Sequence, residues 1–383
     1  MVSVCLGSPP EKFSLVWKYN VPQPIFSSVA VSSGSVYFGS LDSCFYALDI
    51  ASGKQLWKFK TTGEIRSTAL VENKKIYFIS GDGNLYCLSD SGKLIWKFRT
   101  KGEKKVDFAD YHQSAAVLKN GLLFFGSGDS CIYAVHAGNG SLKWVFKTGD
   151  AVHSTPAIDD QAVYCGSFDG YCYAISIDNG ALLWKFKTVG HHYFPKGEVQ
   201  GSPAQTEDLV FFGVRDYNVY ALDKKEGYCH WNRSFSKGWV LSLTILDSVL
   251  YMAGADERML AAVNPNTGTE YWKRSMDFLV FGNVVKMKEE LLIGTTMGKL
   301  YAIDLNTGSD KCVFSTSGYN KSRLKYFKEN DEYRDDIYSI ITSNEQFLEV
   351  ECELGGIFST PVCSDNYVVF SSAEGAVYCL SYL

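Results

Sequence analysis

The chain has 383 residues, a formal net charge of −5 at pH 7, 46% hydrophobic residues and 24 each of Tyr and Phe. Such a composition can fill a large core, and its aromatic excess suits strands better than helices. No apolar run approaches the length of a membrane span, and the acidic balance argues against a nucleic-acid-binding surface.

The N-terminal stretch MVSVCLGSPPEKF lacks the basic start and apolar core of an export signal, and residues 1–12 read as a linker. Phe13 to Tyr19, FSLVWKY, is a strand with no neighbour in sequence to pair with. From Phe38 the text becomes periodic. FGSLDSCFYALDIASGKQLWKFKT is followed by ISGDGNLYCLSDSGKLIWKFRT from Ile79, FGSGDSCIYAVHAGNGSLKWVFKT from Phe125 and CGSFDGYCYAISIDNGALLWKFKT from Cys165. Fainter copies start at Phe212, Ala253 and Ile293, and a truncated one, FSSAEGAVYCLSYL, ends the sequence. Each copy holds an alternating strand, a turn such as Asp169-Gly170, a second strand carrying Tyr, a turn ending in Gly, and a strand carrying Trp.

The Trp markers are Trp17, Trp57, Trp96, Trp144, Trp184, Trp231 and Trp272, with Cys312 in the eighth place, spaced by 40, 39, 48, 40, 47, 41 and 40 residues. After most of them comes a short strand of small residues: FSSVAV at Phe26, RSTALV at Arg66, HSTPAI at His153, FSTPV at Phe358. Each unit is therefore four strands, A to D, with Trp on D. Four strands in about 40 to 45 residues is the period of a propeller blade. The expected fold is an all-β, eight-bladed β-propeller over residues 13–383, seven being the count if the weak sixth or seventh unit is misread. The last copy stops after strand C, so Phe13 to Tyr19 supplies its strand D and closes the ring, leaving no open edge.

Three connections from D to the next A are long. Trp96 to Ser114 and Trp184 to Ser202 each span 18 residues, and Cys312 to Ser359 spans 47, against 10 from Trp57 to Ser67. All three must emerge at one end of the barrel. The last, an insertion at 317–356, holds five Lys/Arg and nine Asp/Glu, a net −4. It is expected to be either a disordered loop or a short helix docking on a partner.

The candidate binding face consists of Asp107, Asp110 and His112 in the first insertion and His191, His192 and Glu198 in the second. A His/carboxylate cluster can hold a metal, but no spacing here is ligand-specific, and no metal site is assigned. His191-His192 and Asp335-Asp336 read as solvated charge pairs. Gly81-Asp-Gly83 and Gly126-Ser-Gly128 lie within hairpins, where a dinucleotide fingerprint has no helix to open. No GxxxxGK[ST] or GxSxG occurs, so no catalytic residue is assigned. The D-strand lysines Lys58, Lys97, Lys147 and Lys185 protect an edge from pairing. Eleven cysteines without a CxxC pair read as buried free thiols in a reducing, cytoplasmic setting.

The recurring pattern STPAV … VYFGS.DG.LYALD..TG…W.F.T resembles the repeat of the pyrroloquinoline-quinone (PQQ) enzymes across nearly the whole chain. The resemblance implies that the D-strand Trp residues wedge between adjacent blades, and that Cys312 makes the seventh-to-eighth contact the weaker one. Quinone enzymes carry an adjacent-cysteine disulfide and a Ca²⁺ held by carboxylate and amide groups. This chain has no adjacent Cys-Cys, so no cofactor is expected, PQQ included. The same repeat occurs without quinone in the bacterial outer-membrane assembly lipoprotein. By general likeness, the Tyr- and Cys-rich chain is similar to the C-terminal propeller of β-alanine-activating enzymes of the acyl-CoA synthetase family. That implies a non-catalytic, monomeric propeller serving a protein partner or the other domains of an ATP-dependent ligase, whose adenylation and carrier domains are not in this chain. A PQQ-dependent dehydrogenase and a free-standing interaction scaffold are the alternatives.

Overall fold

Eight four-stranded antiparallel sheets follow one another along the chain, seen in a computed structural model that describes residues 12–382. Blades 1 to 7 span 30–60, 70–99, 117–147, 157–187, 204–234, 240–275 and 285–315, each running A-B-C-D in sequence. Blade 8 takes A to C from Val362–Ser364, Tyr367–Ser372 and Ala376–Tyr382, and its D strand from Phe13–Asn20. Phe13 faces Tyr382, Trp17 faces Cys379 and Asn20 faces Ala376, so strands from the two ends of the sequence close the ring. The stretch read as a linker lies, apart from Lys12, outside the described residues.

Strands B and C are buried on both faces, whereas strand D alternates and leaves Lys58, Lys97, Lys147 and Lys185 exposed. A bulge next to the Trp interrupts C–D pairing, as where Ala47 faces Trp57 but Leu48 faces Gln55. The extra residue turns outward, which accounts for exposed Leu56 and Ile95 on edge strands.

Each indole packs on the Gly that ends the C–D turn of the next blade. Gly53 has φ +67, and a Cβ added there would come 2.6 Å from Trp17 Cδ2. Gly92 stands in the same way to Trp57, Gly180 to Trp144 and Gly308 to Trp272. Except at Trp96, the indole N–H also donates to a carbonyl just after the next strand C, from Trp17 to Ile50 at 2.7 Å and from Trp184 to Lys224 at 2.8 Å. Blade wedging therefore combines ring stacking with one hydrogen bond. It also explains Cys312. The blade after it has no C–D turn, because its D strand comes from the other end of the chain, so an indole at 312 would find no glycine. Phe314 packs on Phe370 and Tyr378, the same contact that Phe59 makes with Phe78 and Tyr86 and Phe98 with Phe125 and Tyr133, so this part of the blade contact is kept.

The 317–356 insertion is helical. Helices α1 (Ser317–Tyr326), α2 (Ile337–Ile340) and α3 (Asn344–Glu353) dock on the protein's own propeller. Thr316 caps α1 by accepting from Tyr319 N, and Ser343 caps α3 by accepting from Gln346 N. Tyr319, Phe327, Val350 and Leu354 pack against Phe278, Leu279 and Met297. Lys299 of blade 7 pairs with Asp331 at 2.6 Å. The ten cysteines among the described residues are all free, six of them buried, and burial pushes the Cys165 and Cys379 thiols up to about 12.

Candidate binding face

D–A loops and B–C turns come out at the same end of every blade, so the three insertions share one face. At its centre the loops before strand A contribute aromatic rings: Phe26 and Phe358 with centroids 5.0 Å apart, and Tyr111 at 4.8 Å from Phe358 and 5.0 Å from Phe281. These rings stopper one end of a central cavity of about 390 Å³. The cavity wall takes residues from every blade, from Ser28, Thr68 and Ala115 round to Thr360. Hydroxyls there accept backbone N–H groups from the preceding blade. Ser28 N donates to Thr68 at 3.2 Å, Ala115 N to Thr155 at 2.9 Å, and Thr360 N to Ser28 at 2.9 Å, the last across the closure.

The first two insertions are each held by a buried cation. His153, at the entry to blade 4, is 3% exposed. Its Nδ1 lies 2.8 Å from Asp110 Oδ1 and its Nε2 3.3 Å from Glu103 Oε2. Burial opposes the imidazolium, but the hydrogen bonds and charges of Asp110 and Glu103 outweigh it and raise His153 to about 9. Burial likewise works against ionised Asp110, yet His153, Arg66 and the Val106 N–H hold it below the usual carboxylate range. The second cation, Arg215, is 1% exposed and forms a bidentate pair with Asp107. It donates to Gln200 Oε1 at 2.8 Å through Nε, and Gln200 donates on to the Ala109 carbonyl at 3.0 Å. Trp239 and Phe168 flank the guanidinium at 4.6 and 5.0 Å.

The six residues of the sequence-level face therefore divide. Asp107 and Asp110 sit in internal ion pairs rather than on exposed charged loops. His112 lines the cavity, and burial followed by the charge of Arg66 lowers it to about 4, which keeps it neutral. His191 stacks on Tyr217 at 4.0 Å, His192 is exposed, and the Glu198 carbonyl accepts from Arg215 N at 3.0 Å. Among the described residues no three His, Cys, Asp or Glu side chains converge as a metal site. With no adjacent cysteine pair and no ligand cluster, the residues present do not fit a quinone with its Ca²⁺.

Sequence reasoning missed His153, Glu103, Arg215 and Gln200. A signal existed in the repeat itself. The residue two after the Gly that closes strand B is Leu41 in blade 1 and Phe168 in blade 4, but Arg215 in blade 5 and Asp256 in blade 6. Departures at a position that faces the axis mark where blades are asymmetric. The charge of Asp256 bears on Glu351 of α3, a fully buried acid whose carboxylate oxygens have no well-aligned hydrogen-bond partner among the described residues. Burial, opposed by the neighbouring Thr296 hydroxyl and helped by the charge of Asp256, pushes Glu351 up to about 8, which favours its protonated form at neutral pH.

On the outer side of this face the insertions leave Phe108, Tyr193 and Tyr338 exposed by 41, 71 and 88%. Anchored backbones presenting aromatic side chains suit recognition of another protein surface.

The sequence profile of the family described as outer membrane protein assembly factor BamB matches residues 14–110, 82–213 and 191–312. No curated protein matches the chain. Among solved structures, BamB from Moraxella catarrhalis superimposes with a TM-score of 0.70 at 15% identity, covering 97% of this chain and 100% of that one. The quinohemoprotein alcohol dehydrogenase from Comamonas testosteroni gives 0.70 at 13% identity, over 97% of this chain and 76% of that one. The computationally designed protein Ika8 gives 0.70 at 16%, over 95 and 98%. These likenesses are of fold.

Proposed function

Because the chain belongs to the repeat family described as outer membrane protein assembly factor BamB, we propose that it is a non-catalytic binding propeller that docks a protein partner on the face bearing its three insertions. One observation carries this reading. His153 and Arg215 clamp the first two insertions, and the third packs on blades 6 and 7, while Phe108, Tyr193 and Tyr338 stay exposed among the described residues. A rigid platform with exposed rings is what a binding surface needs, since little order has to be gained on docking.

The finer reading is that the partner is the catalytic part of an ATP-dependent enzyme of the acyl-CoA synthetase family that activates β-alanine or another amino acid, in the cytoplasm. The repeat's general likeness to the propellers of such enzymes supports it. A quinone-dependent dehydrogenase is the competing reading, supported by likeness of fold to the alcohol dehydrogenase and opposed by the missing adjacent cysteines.

The test is capture with the immobilised chain, followed by identification of the retained proteins and their ATP-dependent amino-acid activation. Tyr193→Ser with Tyr338→Ser is expected to abolish capture with unchanged melting, and Lys58→Ser on the outer edge to leave it intact. Capture that survives the tyrosine changes, or quinone-dependent turnover by the purified chain, overturns the proposal.

A further inference from the structure

Beside the aromatic stopper lies a second concavity, a groove of about 690 Å³. Its floor is apolar: Phe26 and Leu41 from the propeller, Leu348 and Cys352 from α3. Leu348 and Cys352 are four residues apart, so they share the face of α3 that packs beside Phe26 and Leu41, while Phe347, Val350 and Leu354 pack with Phe278, Leu279 and Met297. Burial pushes the Cys352 thiol up to about 12, so it acts as an apolar wall and not as a nucleophile.

The rim is charged in a definite pattern. Glu345 and Glu349, again four apart, stand exposed along the α3 side. Neither makes an ion pair among the described residues, where Glu353 one turn on is paired with Lys325. On the opposite rim are Lys105, exposed and also without an ion pair, and Phe108, which is two-fifths exposed. Asp107 is there too, but Arg215 holds it.

We propose that this groove is a peptide-binding site that takes a segment of a partner protein with a bulky apolar anchor flanked on one side by a basic residue. The anchor fills the floor between Leu41, Phe108 and Leu348. The basic residue pairs with the Glu345/Glu349 wall, and the other flank, acidic or a backbone carbonyl, faces Lys105. Two carboxylates against one lysine give the groove a direction as well as a sign, and charge complementarity sets register and rejects wrong partners. This deepens the reading of the face as a protein-docking platform and rests on it.

The test uses random short peptides displayed on phage and selected on the immobilised full chain, with the strongest binder then resynthesised carrying a fluorophore. Selected sequences should share an aromatic or aliphatic anchor next to Lys or Arg. Glu345→Gln with Glu349→Gln, both exposed, should weaken the resynthesised peptide about three- to tenfold and reduce its salt dependence. Phe108→Ser should weaken it about tenfold or more, as expected for losing a buried ring. Melting should be unchanged in both variants, which separates lost binding from lost fold. An acidic consensus, no enrichment, or affinity indifferent to both variants overturns the groove. If the groove fails while Tyr193→Ser with Tyr338→Ser still abolishes partner capture, the platform stands without it. If capture survives those changes too, the platform itself falls.

Discussion

The imidazole of His153 hydrogen-bonds the Asp110 carboxylate at 2.8 Å, joining residues 43 apart in sequence and pinning the long loop before blade 3 to the entry of blade 4. Both partners are buried, and neither has water to fall back on. Losing one strands the other, which costs about 3–5 kcal/mol for a buried pair.

The pH dependence of this tie follows from the directions of the two shifts. His153 is raised to about 9 from about 6.5 in an unfolded chain. Its contribution is therefore complete below about pH 6.5 and disappears as pH rises through about 9. Asp110 is lowered, so its contribution is present above the ordinary carboxylate range and lost as pH falls below it. Amide exchange over residues 103–112, corrected for intrinsic rates, should accelerate above pH 9 in the native protein. His153→Ala should show the faster rate already at pH 7. Equal protection at pH 7 and pH 10 would contradict the assignment.

Glu351 behaves oppositely. Its folded value of about 8 lies far above the usual carboxyl value near 4.3, so folding retains a proton that the unfolded chain has released. Stability from this site is full below about pH 4.3 and declines up to about pH 8. Glu351→Gln keeps the neutral shape and removes the decline. Its melting temperature should match the wild type near pH 4 and exceed it increasingly up to pH 8. A variant less stable than wild type at pH 8 would show that an ionised carboxylate is held there by a partner.

Two glycines separate backbone strain from blade wedging. Gly34 and Gly53 both have positive φ, but a Cβ at Gly34 meets nothing within 4 Å, whereas one at Gly53 meets Trp17. Gly34→Ala should cost about 1–2 kcal/mol, the strain of a left-handed residue. Gly53→Ala adds displacement of an indole and its hydrogen bond to Ile50, and should cost at least 1 kcal/mol more. Denaturant midpoints of the two variants decide it, and equal values would mean that the indole does not hold the blades.

Closure is tested by deleting residues 1–20. This removes the D strand of blade 8 together with the Trp17 contact to blade 1, and exposes the strand-C edge at Ala376–Tyr382. Aggregation or a large fall in melting temperature is expected. A truncated chain melting like the whole would show that the ring is shut by other contacts.

By itself the sequence determined the repeat, the four strands per blade, the count of eight and the closing strand. Those features follow from short-range alternation and turn chemistry repeated many times, so errors in one copy are corrected by the others. It also placed the long D–A loops at one end, since connectivity alone dictates that. Only the tertiary structure decided what those loops do. Residues 317–326, SGYNKSRLKY, carry almost no apolar stripe, and become helical because Thr316 caps them and Tyr319 packs on blade 7. Asp107 and Asp110 read as candidates for a binding face because their cations, Arg215 and His153, lie 108 and 43 residues away. Cys312 stands out in the sequence only as a missing Trp, and it took the closure to show that no C–D turn faces it. In each case the deciding partner is distant in sequence and occurs once, so repetition, the very thing that made the blades legible, had nothing to say about it.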